Sequence, residues 1–355
     1  MADMEHSVCK EYVNLKPFNT LGINATARYL YPLYSEVELP AICQFADQKG
    51  LPLMPLGAGS NIVLHSDPDA VVMPILCKDK QITIHDDEVL LTASAGHNWH
   101  ELVRWTLQHN YYGLENLSLI PGTAGAAPIQ NIGAYGVEIK DSLVSVRGYC
   151  RLKKQFMLLT GDECEFGYRD SIFKRKLRNT FIITQITLRL SRTFSPNLSY
   201  DNLHKAVSHY PHKTLTALMI SDTVCTIRKK KLPDPKQLGN VGSFFKNPLV
   251  TRQTLDKIRK KYTNAIAYTV NNDFYKLAAG WLIDACGLKG YRKGDAGVFQ
   301  DQALVLVNYG KATGKEMLAL AQFIQQQVFD TFNVLLEVEP CIYPYIIKKI
   351  AYTGN

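Results

Sequence analysis

Residues 242–248, Gly-Ser-Phe-Phe-Lys-Asn-Pro, put a serine hydroxyl directly after a glycine, in a turn between a basic run and apolar, helix-like sequence. A hydroxyl held in such a turn can hand a proton to a strongly basic carbon, but read alone a Gly-Ser turn followed by two aromatics is more often a strand end with a spare hydroxyl. Other places also carry chemistry-bearing residue types. Gly57-Ala58-Gly59-Ser60-Asn61 joins two short apolar runs, and a glycine turn between strands lets backbone amides approach a phosphate, although such a turn also exists without any ligand. It is not the dinucleotide fingerprint of a Rossmann domain, because a third glycine is missing and the following run is strand-like. From Leu119 to Gly136 the chain holds four glycines, two prolines and mostly small side chains. A long irregular segment that is nonetheless apolar suits a loop wrapped against a flat ligand. Arg169 stands beside Asp170, either as its surface partner or as a fixed cation for an anion. Near the end, Glu337 and Glu339 fall two residues apart, on one face if this stretch is a strand.

Composition bounds the classes of function. The chain has 355 residues, of which 46% are hydrophobic and 20% charged, ordinary values for a soluble globular protein of two or three domains. The first residues, Met1-Ala-Asp-Met-Glu-His6, carry neither a basic nor an apolar leader region, and no run approaches the roughly 18 apolar residues of a membrane span. A cytoplasmic location without membrane insertion is expected. Eight cysteines are scattered with no C-x-x-C pair, and no histidines stand at zinc spacing, so neither a disulfide framework nor a metal site is expected. The net charge of +8 suits an acidic small ligand such as a dinucleotide or sugar nucleotide; nucleic acid is the alternative. Its densest cluster, Arg228-Lys-Lys-Lys231, reads as a solvated loop.

The elements that must position these residues follow from pattern. Ser35-x-x-Glu38 is a capping box before a helix expected from about Pro40 to Lys49. Leu53–Leu56 and Ile62–Leu64 read as strands flanking the glycine turn. Asn98 and Glu101 cap a helix over 99–109, and strands are expected at 143–149, 155–159 and 181–190. Between Arg192 and Gly239 the composition shifts toward Ser, Tyr, Lys and Pro, with Leu-Pro-Asp-Pro (232–235) as a stiff connector and a boundary near Arg228. Beyond it, helices are expected over 251–261, 274–286 and 315–332, with a strand at 303–307.

The clusters at Gly57, at Pro121–Gly136, at Phe166-Gly-Tyr-Arg-Asp-Ser-Ile-Phe173, at Gly242–Pro248 and at Leu336-Glu-Val-Glu339 occur in one order with further phrases. These are Leu15-Lys-Pro-Phe-Asn-Thr20, Gly113-Leu-Glu-Asn-Leu117, Lys231-Leu-Pro-Asp-Pro235 and Lys276-Leu-Ala-Ala-Gly-Trp-Leu-Ile-Asp284. Together they resemble the UDP-N-acetylenolpyruvoylglucosamine reductase family over about Lys16 to Glu339. The resemblance implies an α+β fold of three domains: two forming an FAD-binding unit of the vanillyl-alcohol-oxidase-like type (residues 1–77, with a C-terminal strand at 335–355 returning to it, and 78–228), and a third α+β substrate-binding domain (229–334). It implies FAD along Gly57, Ala58, Gly59, Ser60 and Asn61, and along Pro121, Gly122, Gly125, Ala126, Ile129, Gln130, Asn131, Gly133, Ala134 and Tyr135. Some relatives carry hydroxyl side chains where this chain has Ala126 and Ala127, so any contact there must come from backbone or neighbouring groups.

The same resemblance implies the reaction. NADPH reduces FAD, and flavin N5 delivers hydride to the terminal carbon of an enolpyruvyl double bond, leaving an enolate-like carbon beside a carboxylate. Arg169 is implied as the cation at that carboxylate, Ser243 as the proton donor and Glu339 as a hydrogen-bonding catalytic carboxyl. Tyr168 is a secondary site residue. Tyr200, Lys231, Asn247 and Gln302 are implied at the diphosphate of the sugar nucleotide, Tyr200 on a closing loop found in the longer of two subclasses. A monomer is expected. An FAD-linked oxidase of the same broad fold acting on another substrate is the rival enzyme reading.

Overall fold

The computed structural model describes residues 8–211 and 214–344; the reading made on residues 1–6, and residues 345–355 of the expected C-terminal strand, lie outside them. The chain divides into two compact units, one of residues up to 13, 27–59 and 69–231, the other of 14–26, 60–68 and 232 onward.

The first unit has two cores. One lies under a four-stranded sheet ordered Lys10–Asn14, Thr26–Leu30, Val71–Pro74, Leu53–Leu56, the last three mutually parallel. Helix α1 (Leu39–Gln48) covers it with Leu39, Ile42, Cys43 and Ala46, which pack with Tyr29, Leu33, Val71 and Met73. Its approach is fixed as expected: Ser35 and Glu38 form a capping box around a 3-10 turn, with the Ser35 N–H donating to Glu38 Oε2 at 3.1 Å. The second core fills an antiparallel five-stranded sheet ordered Gln155–Thr160, Leu143–Cys150, Phe181–Ser191, Glu88–Ser94, Lys80–His85. Helix α2 (Trp99–Gln108) lays Trp99, Leu102, Val103 and Leu107 against it. Asn98 Oδ1 accepts the Glu101 N–H at 3.0 Å and starts that helix.

Residues 192–239 are not the open connector that their composition suggests. They hold helices α3 (Asp201–Val207) and α4 (Ala217–Lys231), joined by a small apolar cluster of Leu203, Val207, Leu215, Ile220 and Val224. The run Arg228–Lys231 is the last turn of α4 and not a loop; cations there meet the negative end of the helix dipole, which favours helix where composition alone suggested coil.

In the second unit a four-stranded sheet runs Gly239–Ser243, Val305–Asn308, Ala296–Val298, Arg292–Lys293. The expected helices appear as α5 (Arg252–Lys261) and α7 (Gly314–Phe332), started by a Thr251 cap and a Thr313/Glu316 capping box that the sequence reading did not single out. The expected helix over 274–286 is corrected. Phe274–Leu277 is a strand between Leu249–Thr251 and Ala267–Thr269, and only Ala279–Ala285 is helical, α6. Two β-prone aromatics open the segment, and strand partners far along the chain outweigh its helical spacing. The C-terminal strand Cys341–Tyr343 pairs in parallel with Ile62–Leu64.

Candidate active site

The Gly57 turn and the 121–136 loop meet. A Cβ on Gly57 would stand 2.7 Å from Thr123 Oγ1 and 3.6 Å from the Ala126 Cβ. The loop is stitched to the turn that leads into α2: Gly125 N–H donates to Ala95 O at 2.9 Å, Ala124 N–H to His97 O at 2.9 Å, and Trp99 N–H to Gly122 O at 3.1 Å. Gly59 (φ 60°), Gly122 (130°), Asn131 (47°), Tyr135 (50°) and Gly136 (85°) all take positive φ, a backbone conformation that most residues avoid. A flat dinucleotide needs small residues and exposed amides, and Gly57, Ala58, Ala126 and Gly133 provide the first. Ile129 and Gln130 lie in the 3-10 turn Pro128–Gln130, and Ala134 pairs with Val137 across a two-residue ladder. Pro121 is exposed, and Ser60 and Asn61 lead into the Ile62–Leu64 strand.

Not every residue expected along the cofactor offers its side chain. Asn131 is fully buried, with Nδ2 donating to Glu138 Oε2 (2.8 Å) and Gly167 O (3.0 Å) and Oδ1 accepting from Lys140 N–H (3.2 Å). It holds the loop together, and its backbone N–H is also used within the loop, donating to Pro128 O at 3.2 Å. The start of the loop is clamped at Leu119, φ 57°. His100 Nδ1 accepts the Leu119 N–H at 2.9 Å, and Arg228 Nε donates to the Leu119 carbonyl at 3.1 Å. Burial lowers the His100 pKa, which favours the neutral ring that such acceptance requires. The clamp had no signal in sequence, since its parts lie on α2 and α4.

Arg169 sits at φ 54°, with its guanidinium donating to Gly133 O at 2.8 Å and Asn131 O at 3.5 Å and lying 5.3 Å over the Tyr168 ring. The neighbouring Asp170 carboxylate is engaged by Arg175. Arg169 is thus turned toward the 121–136 loop by a strained backbone, a conformation that L-residues hold only when their surroundings enforce it. Tyr200, the N-cap of α3, packs edge-on to Tyr135 with centroids 5.3 Å apart. Asn116, from the Gly113–Leu117 phrase, ties the two segments by donating to Tyr135 O (2.8 Å) and Asn197 O (2.9 Å). Lys231 is exposed at the end of α4.

In the second unit, the backbone segments that carry Ser243 and Glu339 lie side by side. Phe245 pairs antiparallel with Val338, and Glu339 N–H donates to the carbonyl of Phe244, the residue after Ser243, at 3.0 Å. The exposed Glu337 carboxylate is paired with Lys246. Asn247 Oδ1 accepts the Ala279 N–H at 2.9 Å, the first of α6. Gln302 Oε1 takes Leu304 N–H at 3.3 Å and lies where a Cβ on Gly280 would reach within 2.8 Å. Among the described residues no three His, Cys, Asp or Glu side chains group to hold a metal, and no helix is long and apolar enough to cross a membrane.

A backbone cradle of small residues and left-handed turns, with a strained arginine beside it, is the fabric of a flavin-dependent oxidoreductase, and residues 29–149 match the FAD binding domain family. Residues 234–343 match the family described as UDP-N-acetylenolpyruvoylglucosamine reductase, C-terminal domain. The chain is 46% identical over 335 residues to the UDP-N-acetylenolpyruvoylglucosamine reductase of Pseudomonas putida, covering 94% of this chain and 98% of that one. It is 44% identical to that of Flavobacterium johnsoniae over 328 residues, 92% and 97% of the two chains. It belongs to the UDP-N-acetylenolpyruvoylglucosamine reductase family and is an FAD-binding oxidoreductase. The crystal structure of the Thermus caldophilus reductase shares the fold, with a TM-score of 0.67 over 96% of this chain and 99% of that one at 23% identity.

Proposed function

We propose that this chain reduces UDP-N-acetylglucosamine enolpyruvate to UDP-N-acetylmuramate with NADPH, in peptidoglycan precursor synthesis, as a cytoplasmic monomer with small-molecule rather than nucleic-acid ligands. The observation that carries the reading is the pairing of the Ser243 segment with Glu339, two of three expected groups on adjoining backbone, in a chain of this family. The two cores of the first unit would be the two flavin-binding subdomains, with boundaries near 77 and 228, and residues 229–334 the substrate-binding domain. The 57–61 turn and residues 121–135 would hold the cofactor largely by backbone.

The chemistry supplied by bound FAD is hydride transfer between NADPH and the enolpyruvyl double bond. Addition at the terminal carbon leaves negative charge on the adjacent carbon and its carboxylate. Arg169 opposes that charge, because a guanidinium stays ionised and presents a fork that matches a carboxylate. Ser243 Oγ then hands its proton to the carbon, and Glu339 hydrogen-bonds the same intermediate if its carboxyl is protonated. Lys231, Tyr200, Asn247 Nδ2 and Gln302 hold the diphosphate, with Tyr168 beside Arg169.

Steady-state turnover tests the reading. NADPH oxidation should depend on the enolpyruvyl substrate; oxidation indifferent to it would favour an oxidase acting elsewhere. Arg169→Lys should lower kcat/KM by about 10²–10³-fold, the loss typical of one oriented donor, because an ammonium cannot keep the two carbonyl bonds and also face a carboxylate. Wild-type values for this variant would remove Arg169 from the mechanism. Tyr200→Phe should raise KM several-fold with kcat little changed, since the ring still packs on Tyr135 while the hydroxyl is lost. An unaltered KM would show that Tyr200 does not reach the diphosphate.

A further inference from the structure

Asn240 is 2% exposed, and its side chain and backbone are bonded on all sides. Oδ1 accepts the Gly242 N–H at 3.0 Å, and Nδ2 donates to Pro233 O at 3.0 Å and to Leu238 O at 2.9 Å. Its N–H donates to Thr20 O at 3.0 Å, and its carbonyl accepts the Thr20 hydroxyl at 2.6 Å. The phrases 15–20 and 231–235, through Thr20 and Pro233, therefore close on this one amide.

What the amide holds is a bulge. Asn240 pairs with Val307 and Ser243 with Val305, so Val241 and Gly242 together oppose the single residue Leu306. Gly242 supplies the left-handed φ of 71° that such a bulge needs, and nothing lies within 4 Å of where its Cβ would be. In an unbulged ladder Ser243 would move one register position and fall on the opposite face of the strand. The Asn240 Oδ1 bond to Gly242 N–H is the side-chain bond that spans the bulge.

We propose that Asn240 is the positioning residue for Ser243: by closing an Asx turn onto Gly242 it fixes the bulge that decides which face the serine hydroxyl presents. This rests on Ser243 acting as proton donor.

The test uses purified holoenzyme and separates two steps by stopped flow: bleaching of the flavin absorbance by NADPH, and its return on adding UDP-N-acetylglucosamine enolpyruvate, in H2O and D2O. Asn240→Ala should leave the first step within about twofold and slow the second by about 10–100-fold, the scale of an ångström-level misplacement, with a larger solvent isotope effect. Asn240→Ser and Asn240→Asp each keep an oxygen that can accept the Gly242 N–H and should recover most of that rate. Asn240→Ser loses both Nδ2 bonds, so its Tm should fall as far as that of Asn240→Ala. In a Ser243→Ala background, Asn240→Ala should add less than about twofold.

The proposal is overturned by an unimpaired second step in Asn240→Ala, by a rate that follows Tm equally in the Ala and Ser variants, or by a full extra loss in the double variant. Should Asn240→Ala yield no holoenzyme, Gly242→Ala, which meets backbone strain but no neighbour, must slow the second step in its place; an unchanged rate there also overturns it. A failure of the reading beneath it looks different, because Ser243→Ala alone would then leave the second step unchanged.

Discussion

Ser243→Ala is expected to bleach normally with NADPH and to recover its flavin absorbance on adding the enolpyruvyl substrate about 10²–10⁴-fold more slowly than the parent, the usual contribution of a placed general acid. Among the described residues the Ser243 hydroxyl makes no hydrogen bond within the chain, and the residue is only half-buried. Its removal therefore orphans no partner and opens no core cavity, so Tm should move little. A hundredfold loss corresponds to about 2.7 kcal/mol of barrier, too large for a surface hydroxyl acting through stability alone. Ser243→Cys should retain part of the rate, since a thiol with an ordinary pKa near 8.5 is a better acid than an alcohol though larger. An unimpaired second step in Ser243→Ala would take the serine out of the chemistry and leave Glu339 or water as the donor.

How much of this could be read in advance depends on how local each determinant is. The strands 53–56 and 62–64 and helix α7 were legible because glycines, caps and periodicity act within a few residues. The segment 274–277 was not, since Leu277 and Ala278 extend the spacing of α6 backwards and only pairing with 249–251 and 267–269 makes it a strand. Helix α4 was hidden for a related reason: its buried face is Ala217, Ile220, Ser221 and Val224, weakly apolar and followed by four cations. At the site, residue types announced the glycine turn, the long loop and Ser243. Their partners were set by long-range contacts that no spacing encodes. Glu337 and Glu339 are equivalent by alternation, and the Lys246 partner of Glu337 comes from a segment 91 residues away. Asn240 did carry a local signal, Asn-x-Gly being an Asx-turn pattern, but its meaning depended on the bulge against Val305–Asn308.

Gly125→Ala should give a folded protein that no longer keeps its flavin. The added Cβ would collide with the Ala95 Cβ and lie 3.0 Å from the Ala95 Cα and 3.3 Å from its carbonyl oxygen. None of these is the yielding tip of a long side chain. Ala95 is fully buried between the Glu88–Ser94 strand and α2, and Gly125 N–H is bonded to its carbonyl, so the loop must move. Moving it loosens the Ala124 and Gly122 bonds to the same turn and displaces the backbone from Pro121 to Tyr135, the segment proposed to hold the cofactor. We expect the FAD Kd to rise at least tenfold, read by titrating apoprotein and by the flavin-to-protein absorbance ratio after gel filtration, with an unchanged far-UV spectrum. Loss of a ligand formerly present at 100 times its Kd removes about 2.7 kcal/mol of linked stability, so Tm should drop and become dependent on added FAD. Gly287→Ala separates this from simple destabilisation: its φ is 71° and its surroundings are open, so it incurs the roughly 1–2 kcal/mol of left-handed strain while keeping full flavin. Equal occupancy in both variants would dissociate the 121–136 loop from cofactor binding.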